Sequence, residues 1–186
     1  EEARKVYKGK RQALSAVELS KLNDLILIQF QKLQIPFLHF LLAYWPIENN
    51  NEVTIHPVVD YLEFINPELR IGYPKTDFKR NEMIALEVND ETDFVQNKFS
   101  IHEPAAGDFI APVDFDMVLV PMLTCDTAGC RVGYGKGFYD KYLSHCRDNC
   151  VKVGFSYFEP VNKIDDRNDF DVSLNYCISS QKIYVF

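Results

Sequence analysis

The sequence predicts an α/β fold in which a mainly parallel sheet lies between helices on both faces, giving three layers. Short apolar runs alternate with segments whose apolar residues recur at helical spacing, and this order is typical of strand–helix–strand units. The run at 116–120 is followed by a glycine-rich segment, a helical pattern and a second apolar run at 151–155. A crossover of this kind predicts right-handed parallel pairing of the two runs. With no repeat or long linker in 186 residues, we expect residues 1–186 to form one domain.

The first half of the chain contains two predicted helices and three predicted strands. Residues 3–13 are polar and basic with scattered apolar positions. Ser15 and Glu18 have the spacing of a capping box, in which two side chains satisfy the first free amides of a helix. Apolar residues then recur at helical spacing up to Leu33. The predicted elements are a helix near 16–34, a strand at 37–45, a helix at 57–65, and strands at 69–73 and 83–88.

The second half is organised around the apolar strand that ends at Pro121. A helix is predicted from Phe138 to about Arg147, followed by strands at 151–155, 176–179 and 182–186. Ligands of open α/β sheets bind at the carboxyl ends of the strands. The loops after Tyr44, Tyr73 and Pro121 are therefore expected to meet at one site.

Composition and charge exclude several classes of protein. The chain is 47% hydrophobic and 13% aromatic, which is enough for a sizeable core. Its net charge of -7 argues against nonspecific binding to nucleic acid or to an anionic membrane, although a local cationic pocket for a small anion remains compatible with it. Five cysteines without a CxxC pair indicate reduced, structural thiols. No secretory signal or membrane span is apparent, so we expect a cytoplasmic location. We also expect the protein to be a monomer.

The most informative segment is Gly129–Asp140, which contains four glycines, Arg131 and Lys136. Glycine lets the backbone approach an anion closely and adopt positive φ, and amides at a helix start favour negative charge. The segment therefore predicts a phosphate-binding loop. It is not a Walker loop, because Gly137 stands where that motif has Ser or Thr, and its GxGxG spacing differs from GxGxxG.

Each residue of this segment also has a simpler interpretation. The glycines could form a surface turn with solvated cations. Asp140 could complement the first turn of a helix without binding a metal. The combination of Arg131, Lys136 and Asp140 with the glycines is what favours a nucleotide site.

The stretch Arg131-Val-Gly-Tyr-Gly-Lys-Gly-Phe-Tyr-Asp140, following Val118-Leu-Val-Pro121, resembles the signature of the 5-formyltetrahydrofolate cyclo-ligase family. Weaker parts of the resemblance extend over most of the chain. They are Arg4 with the segment 13–16, the segments 52–54 and 73–75, and an acidic stretch near Asp169.

The resemblance implies an ATP- and Mg²⁺-dependent ligase whose partner is the small molecule 5-formyltetrahydrofolate. In that family, ATP activates the formyl oxygen, N10 attacks the formyl carbon, and 5,10-methenyltetrahydrofolate, ADP and phosphate are released. A formamide oxygen leaves poorly, and phosphorylation turns it into a good leaving group. This explains why ring closure requires a nucleotide.

The resemblance also implies roles for individual residues. Arg131 and Lys136 would make the catalytic contacts with the phosphates. Asp140 and Asp169 would bind the metal ion, with Asp171 as the alternative to Asp169. The folate would contact Glu52, Tyr134, Gly135, Lys136, Gly137 and Phe138. The nucleotide would contact Arg4, Arg131, Val132, Gly133, Tyr134, Gly135, Lys136, Gly137, Phe138 and Tyr139.

Several of these assignments have structural alternatives. Arg4 could be a solvated cation on an amphipathic helix, and Lys75 could be either a second phosphate cation or an ordinary loop charge. The aromatic pair at Tyr44 and Trp45 could hold a flat heterocycle or complete the core. The acidic stretch at 165–171 could be a solvated loop.

Two other functions are compatible with the same residues. A non-catalytic nucleotide- or folate-binding module would keep the loop without turnover. A kinase-like phosphotransferase is disfavoured by the absence of the Walker Ser or Thr.

Overall fold

The computed structural model describes residues 2–165 and 170–186. The described helices are α1 Glu2–Gln12, α2 Ala16–Phe30, α3 His56–Ile65 and α4 Phe138–Leu143, with short 3₁₀ turns at Glu48–Asn50 and Pro112–Asp114. The described strands are β1 Phe40–Leu42, β2 Arg70–Asp77, β3 Glu82–Val88, β4 Phe94–Gln96, β5 His102–Pro104, β6 Phe109–Ile110, β7 Met117–Val120, β8 Thr124–Cys125, β9 Arg131–Val132, β10 Val151–Ser156, β11 Tyr176–Ser179 and β12 Ile183–Val185.

The central sheet has eight strands in the order β12-β11-β10-β7-β1-β2-β3-β6. The inner strands pair in parallel, with Leu41 opposite Met117 and Val151 also opposite Met117. The pairs β11–β12, β2–β3 and β3–β6 are antiparallel. The predicted α/β fold with a mainly parallel sheet is therefore confirmed, with antiparallel strands at both edges.

Helices cover both faces of this sheet because its central strands are apolar on both sides. All four residues of β7 are buried, as expected of a parallel strand between two helical layers. Successive residues point to opposite faces, so Leu41 packs in the core with α2 and α3, while Leu42 packs in the core with α4. These two cores hold the strand ends, and the loops that follow them, in fixed positions.

Local signals predicted the start of α2 but not its end. Ser15 and Glu18 form the predicted capping box. The helix ends at Phe30 instead of near residue 34, and Lys32 and Leu33 bond carbonyls only three residues back. Pro36 disfavours helical geometry in the residue before it, which limits any extension of the helix.

The structure corrects the predicted path from β7 to the glycine segment. The sequence indicated a direct strand-to-helix crossing, but the hairpin β8–β9 intervenes, and Arg131 lies in β9. Gly129 belongs to the turn of this hairpin, where a Cβ atom would lie 2.9 Å from the ring of Phe186. Gly129 therefore serves packing, and the open loop begins at Gly133. Helix α4 is also shorter than predicted, because it ends at Leu143.

The strands β4, β5 and β6 were not predicted, and β2 continues through Pro74 to Asp77. All five cysteines are free thiols and four are buried, in agreement with their predicted structural role. No helix within the described ranges combines the length and apolar character needed to cross a bilayer.

Candidate active site

A cleft of about 900 Å³ opens beyond the carboxyl ends of the parallel strands. Tyr44 follows β1, Pro121 follows β7, and both line the cleft. Pro74 lines it from within β2, because that strand continues past Tyr73. The segments that the topology argument predicted to meet are thus brought to one place.

Nearly all the predicted site residues line this cleft. Arg4 contributes from α1, Glu52 from the loop after β1, and every residue of 131–140 from β9, the glycine loop and α4. Asp171 lines it as well. Asp169 lies outside the described residues.

Positive φ angles shape the glycine loop, defined here as residues 133–137. Gly135 has φ +84° and Gly137 has φ +71°, in the left-handed region that other residues adopt at a cost. Gly137 also occupies the N-cap position of α4. Gly133 is not in this region, and a Cβ atom there would meet no other atom within 4 Å. The loop therefore begins with an open position at Gly133, and the two positions that follow at 135 and 137 require glycine because of their backbone conformation.

Arg4 is packed against this loop. Its Nε donates to the carbonyl oxygen of Gly133 at 3.0 Å, and its guanidinium carbon would lie 3.0 Å from a Cβ atom at Gly135. A merely solvated Arg4 is therefore the wrong interpretation. The resemblance and the structure agree in bringing α1 to the loop.

Replacing Gly135 by alanine is expected to destabilise the protein by about 1–2 kcal/mol, because alanine adopts positive φ unfavourably. At this chain length the loss corresponds to a decrease in Tm of roughly 2–8 °C. Thermal unfolding measures it, with Gly133→Ala as the matched control, since that position has room for a methyl group. An equal Tm for both variants would contradict the requirement for glycine at position 135.

Arg131 has a different immediate partner from the phosphate expected of it. Its side chain is only 4% exposed, and one guanidinium nitrogen lies 2.6 Å from Oδ1 of Asp140. A second nitrogen donates to the carbonyl oxygen of Val172, whose own N–H donates to Asp140 at 3.2 Å. A buried guanidinium requires such acceptors. Arg131 therefore fixes Asp140 and the segment at Val172 to the loop.

Lys136 is the exposed cation of the glycine loop. Its ammonium group forms no hydrogen bond or ion pair with the residues the structure describes. Lys136 lines the cleft and is available to an anion there.

Glu52 is a buried carboxylate, only 6% exposed, at the wall of the cleft. Oε2 accepts a hydrogen bond from the Ile47 N–H at 2.7 Å, whereas Oε1 has no partner within the described residues. Burial raises the pKa of Glu52, and the neighbouring Tyr134 hydroxyl, the Ile47 N–H and the Arg11 guanidinium oppose that rise. An orphaned carboxylate oxygen in a cleft suits a ligand that donates N–H groups.

Sequence reasoning missed Arg11, Phe78 and Phe99. Arg11 is only 2% exposed and donates to the carbonyl oxygen of Met122 at 3.1 Å. The sequence did contain one indication, since Arg11 lies seven residues after Arg4 and this spacing places both on one helix face.

The phenylalanine rings of the cleft were missed as well. Phe78 lies 5.1 Å from Phe99 and 6.4 Å from Phe138 between ring centroids, and all three rings line the cleft. For Phe78 and Phe99, the indication in the sequence was a phenylalanine within a predicted loop.

The alternatives left open for Trp45 and Lys75 are decided by their contacts. Trp45 packs against four rings, with centroids 4.6 Å from Phe94, 4.9 Å from His56 and His102, and 6.3 Å from Tyr73. It therefore completes an aromatic cluster while one part lines the cleft. Lys75 donates to the carbonyl oxygens of residues 104 and 105 at 3.0 and 2.7 Å, so it is neither a loop charge nor a phosphate cation.

The acidic residues of the cleft offer limited metal-binding capacity. Asp140, Asp165 and Asp171 line it, but no group of three or more Asp, Glu, His or Cys residues that could hold a metal ion occurs within 2–165 and 170–186. Such a site suits a hard cation that takes most of its oxygen ligands from elsewhere, as Mg²⁺ does from phosphates and water.

Known proteins resemble the chain in both sequence and fold. A 5-formyltetrahydrofolate cyclo-ligase of Mycoplasma pneumoniae is 30% identical over 183 residues, 96% of each chain, and one of Mycoplasma genitalium is 36% identical over 69 residues, 37% of this chain and 42% of that protein. The solved 5,10-methenyltetrahydrofolate synthetase of Aquifex aeolicus superimposes with a TM-score of 0.82 at 26% identity, covering 99% of this chain and 91% of that one. The M. pneumoniae synthetase structure has a TM-score of 0.76 at 27% identity, covering 96% of both chains. The sequence profile of the 5-formyltetrahydrofolate cyclo-ligase family matches residues 47–164, and the chain therefore belongs to that family.

Proposed function

We propose that the protein catalyses the ATP-dependent cyclisation of 5-formyltetrahydrofolate to 5,10-methenyltetrahydrofolate, with release of ADP and phosphate. Family membership supports this reaction. The observation that carries the proposal to this chain is the convergence of Arg4, Glu52 and residues 131–140 on one cleft. That cleft is within the size range of small-molecule sites.

The proposed chemistry needs two events at the formyl group. The γ-phosphoryl group is transferred to the formyl oxygen, and N10 then attacks the formyl carbon. As the new C–N bond forms, N10 gives up its proton and the C–O bond breaks, so the oxygen leaves with the phosphate. The protein must therefore hold a polyphosphate and a folate with N10 facing the formyl carbon, since proximity supplies much of the rate.

We assign the polyphosphate to the glycine loop and its cations. Lys136 is exposed in the cleft and would bind the phosphates directly, aided by Arg4 and the loop amides. Arg131 would act from behind the loop by fixing Asp140. The binding role proposed for Tyr134 to Tyr139 follows from their position along the same wall.

We assign the pterin end of the folate to Glu52. The free Oε1 would accept hydrogen bonds from ring N–H and amino groups. The rings of Phe78, Phe99 and Phe138 offer an apolar wall for the rest of the molecule. This assignment puts the folate and the nucleotide in the same cleft.

Asp140 and Asp171 are the residues we propose to hold Mg²⁺. Both line the cleft, and Val172, next to Asp171, bonds to Asp140. When bound, the ion would offset negative charge on the phosphates. Asp169 remains the alternative to Asp171.

Replacing Asp171 by asparagine is expected to increase the Mg²⁺ concentration that gives half-maximal activity by about tenfold, because one charged oxygen ligand is lost. Titrating activity with Mg²⁺ at saturating ATP measures the change, with Asp169→Asn as the comparison. An effect of Asp169→Asn alone would transfer the assignment to that residue. Asp140 is less suitable for this test, since its loss would leave the buried Arg131 unpaired.

The proposed function is tested by incubating the protein with 5-formyltetrahydrofolate and Mg-ATP while following methenyl absorbance and ADP release. We expect one ADP for each product formed. Product formation without nucleotide, or no product under any condition, contradicts the proposal. Ligand-induced thermal stabilisation without turnover would instead support a binding module.

A further inference from the structure

Arg11 occupies an unusual position for an arginine of an exposed helix. Its neighbours Lys10 and Gln12 are exposed, whereas Arg11 is 2% exposed. A guanidinium is costly to bury unless its donors are satisfied. Its two terminal nitrogens have partners, whereas Nε has none among the described residues. The partners of the terminal nitrogens therefore indicate what Arg11 does.

Those partners belong to the walls of the cleft. One nitrogen of Arg11 donates to the carbonyl oxygen of Met122, just beyond β7, at 3.1 Å. Another donates to the Tyr134 hydroxyl in the glycine loop, and the guanidinium carbon lies 5.7 Å from the centroid of the same ring. The carbonyl oxygen of Arg11 accepts from the Asn51 side chain at 3.1 Å. One residue thus contacts the glycine loop, the chain after β7 and the segment before Glu52.

The Tyr134 hydroxyl links Arg11 to Glu52. It accepts a hydrogen bond from Arg11, and Tyr134 and Glu52 line the same cleft. Burial, and after it the charge of Glu52, raises the pKa of Tyr134. A phenol has one proton to donate. With Arg11 as its donor, the hydroxyl keeps its own proton for an acceptor, and the neighbouring Glu52 carboxylate is one.

We propose that Arg11 is a positioning residue of the active site, which holds the Tyr134 hydroxyl toward Glu52 and thereby fixes the glycine loop against the carboxylate that binds the pterin end of the folate. Arg11 does not line the cleft, so it acts through Tyr134 and not by touching substrate. The role in folate binding rests on the proposed function, whereas the link from Arg11 to Glu52 does not.

The positive charge of Arg11 also favours the ionised form of Glu52. Four tyrosines on the surrounding elements lie near enough for the charge of Glu52 to raise their pKa values. Arg11 is the cation among the groups that lower the pKa of Glu52. The tyrosines, whose own pKa values are raised chiefly by burial and further by Glu52, are Tyr44, Tyr134, Tyr139 and Tyr157. Without Arg11, fewer groups oppose the effect of burial on the pKa of Glu52, so this pKa should rise.

The test compares Arg11→Met, Arg11→Lys, Tyr134→Phe and the double variant Arg11→Met/Tyr134→Phe in the full chain. Lys8→Met serves as the control, since Lys8 is exposed on the same helix. The first measurement is the titration of the Glu52 side-chain carboxyl carbon by NMR without ligand. We expect Arg11→Met to raise the Glu52 pKa, Arg11→Lys to restore it in part, and Lys8→Met to leave it unchanged.

The second measurement is KM for 5-formyltetrahydrofolate. Arg11→Met is expected to raise it about tenfold in the wild-type background but only about twofold in the Tyr134→Phe background, because residues that act through one another are not additive. Strictly additive effects, or a lowered Tm with unchanged Glu52 titration and KM, overturn the proposal. If Arg11→Met does not fold, Arg11→Lys decides, since it should raise both quantities above their wild-type values, and unchanged values would overturn the proposal.

The two measurements separate this inference from the proposed function. Absence of turnover in the wild-type protein would refute the cyclo-ligase activity, while the Glu52 titration would still decide whether Arg11 controls that carboxylate. Normal turnover with an unaltered titration would refute the inference alone.

Discussion

Replacing Lys136 by methionine is expected to lower kcat/KM for ATP by roughly 10²- to 10³-fold, the cost of removing one charged donor from a developing phosphoryl charge. Lys136 is exposed in the cleft and is not committed to an internal ion pair with the described residues, unlike Arg131. Methionine keeps most of the side-chain length. Steady-state kinetics at varied ATP measures the loss.

The matched control is Lys141→Met. Lys141 lies on α4 close to Lys136, but its ammonium group pairs with Glu82 at 3.0 Å and is half-exposed. An exposed ion pair contributes about 0–1 kcal/mol, so turnover should remain near the wild-type value. The Lys136→Met protein should still bind folate, because Glu52 is untouched. Retention of wild-type kcat/KM by Lys136→Met would remove Lys136 from the phosphate site.

The parts of the fold that the sequence predicted correctly depend on local patterns. The capping box at Ser15 and Glu18 forms within four residues, so its chemistry is visible in the sequence. The strand at 117–120 is buried on both faces, so its uninterrupted apolar run identified it. The hairpin β8–β9 escaped prediction because each strand has two residues, too few for any periodic pattern.

The candidate site was predictable in its composition but not in its pairings. Residues 131–140 were found because a nucleotide loop concentrates unusual residues in one segment. The ion pair between Arg131 and Asp140 was not predicted, because Arg131 was assigned to phosphate and Asp140 to a metal ion. Arg11 was missed because its partners Met122 and Tyr134 lie 111 and 123 residues away, and nothing local marks an arginine for burial.

Replacing Glu52 by glutamine is expected to weaken catalysis and stabilise the fold at the same time. The free Oε1 is the acceptor proposed for pterin N–H groups, and loss of charged hydrogen bonds costs about 1.5–3 kcal/mol. We therefore expect kcat/KM for 5-formyltetrahydrofolate to fall roughly 10- to 100-fold. Steady-state kinetics at varied folate measures this effect.

The gain in stability follows from the direction in which the pKa of Glu52 moves. Burial raises this pKa, so the folded protein holds the proton more tightly than the unfolded chain does. The stabilisation from protonated Glu52 is complete below the unfolded pKa and is lost as pH rises through the folded pKa. Above it, the wild-type protein carries a buried charge that glutamine lacks, and that charge costs about 1.4 kcal/mol for every tenfold difference in proton affinity between the folded and unfolded states.

Thermal unfolding of both proteins from pH 4 to pH 9 measures the difference. Glu52→Gln should exceed the wild-type Tm at high pH, and the two curves should converge as pH falls. Glu103→Gln is the control, because Glu103 is equally buried but accepts bonds from the Thr76 N–H and the Asn97 side chain at 2.9 and 2.8 Å. If the wild-type protein is more stable than Glu52→Gln at pH 9, the hydrogen-bond partners of the Glu52 carboxylate outweigh the cost of burying its charge. A carboxylate kept at the expense of stability is what a binding site requires.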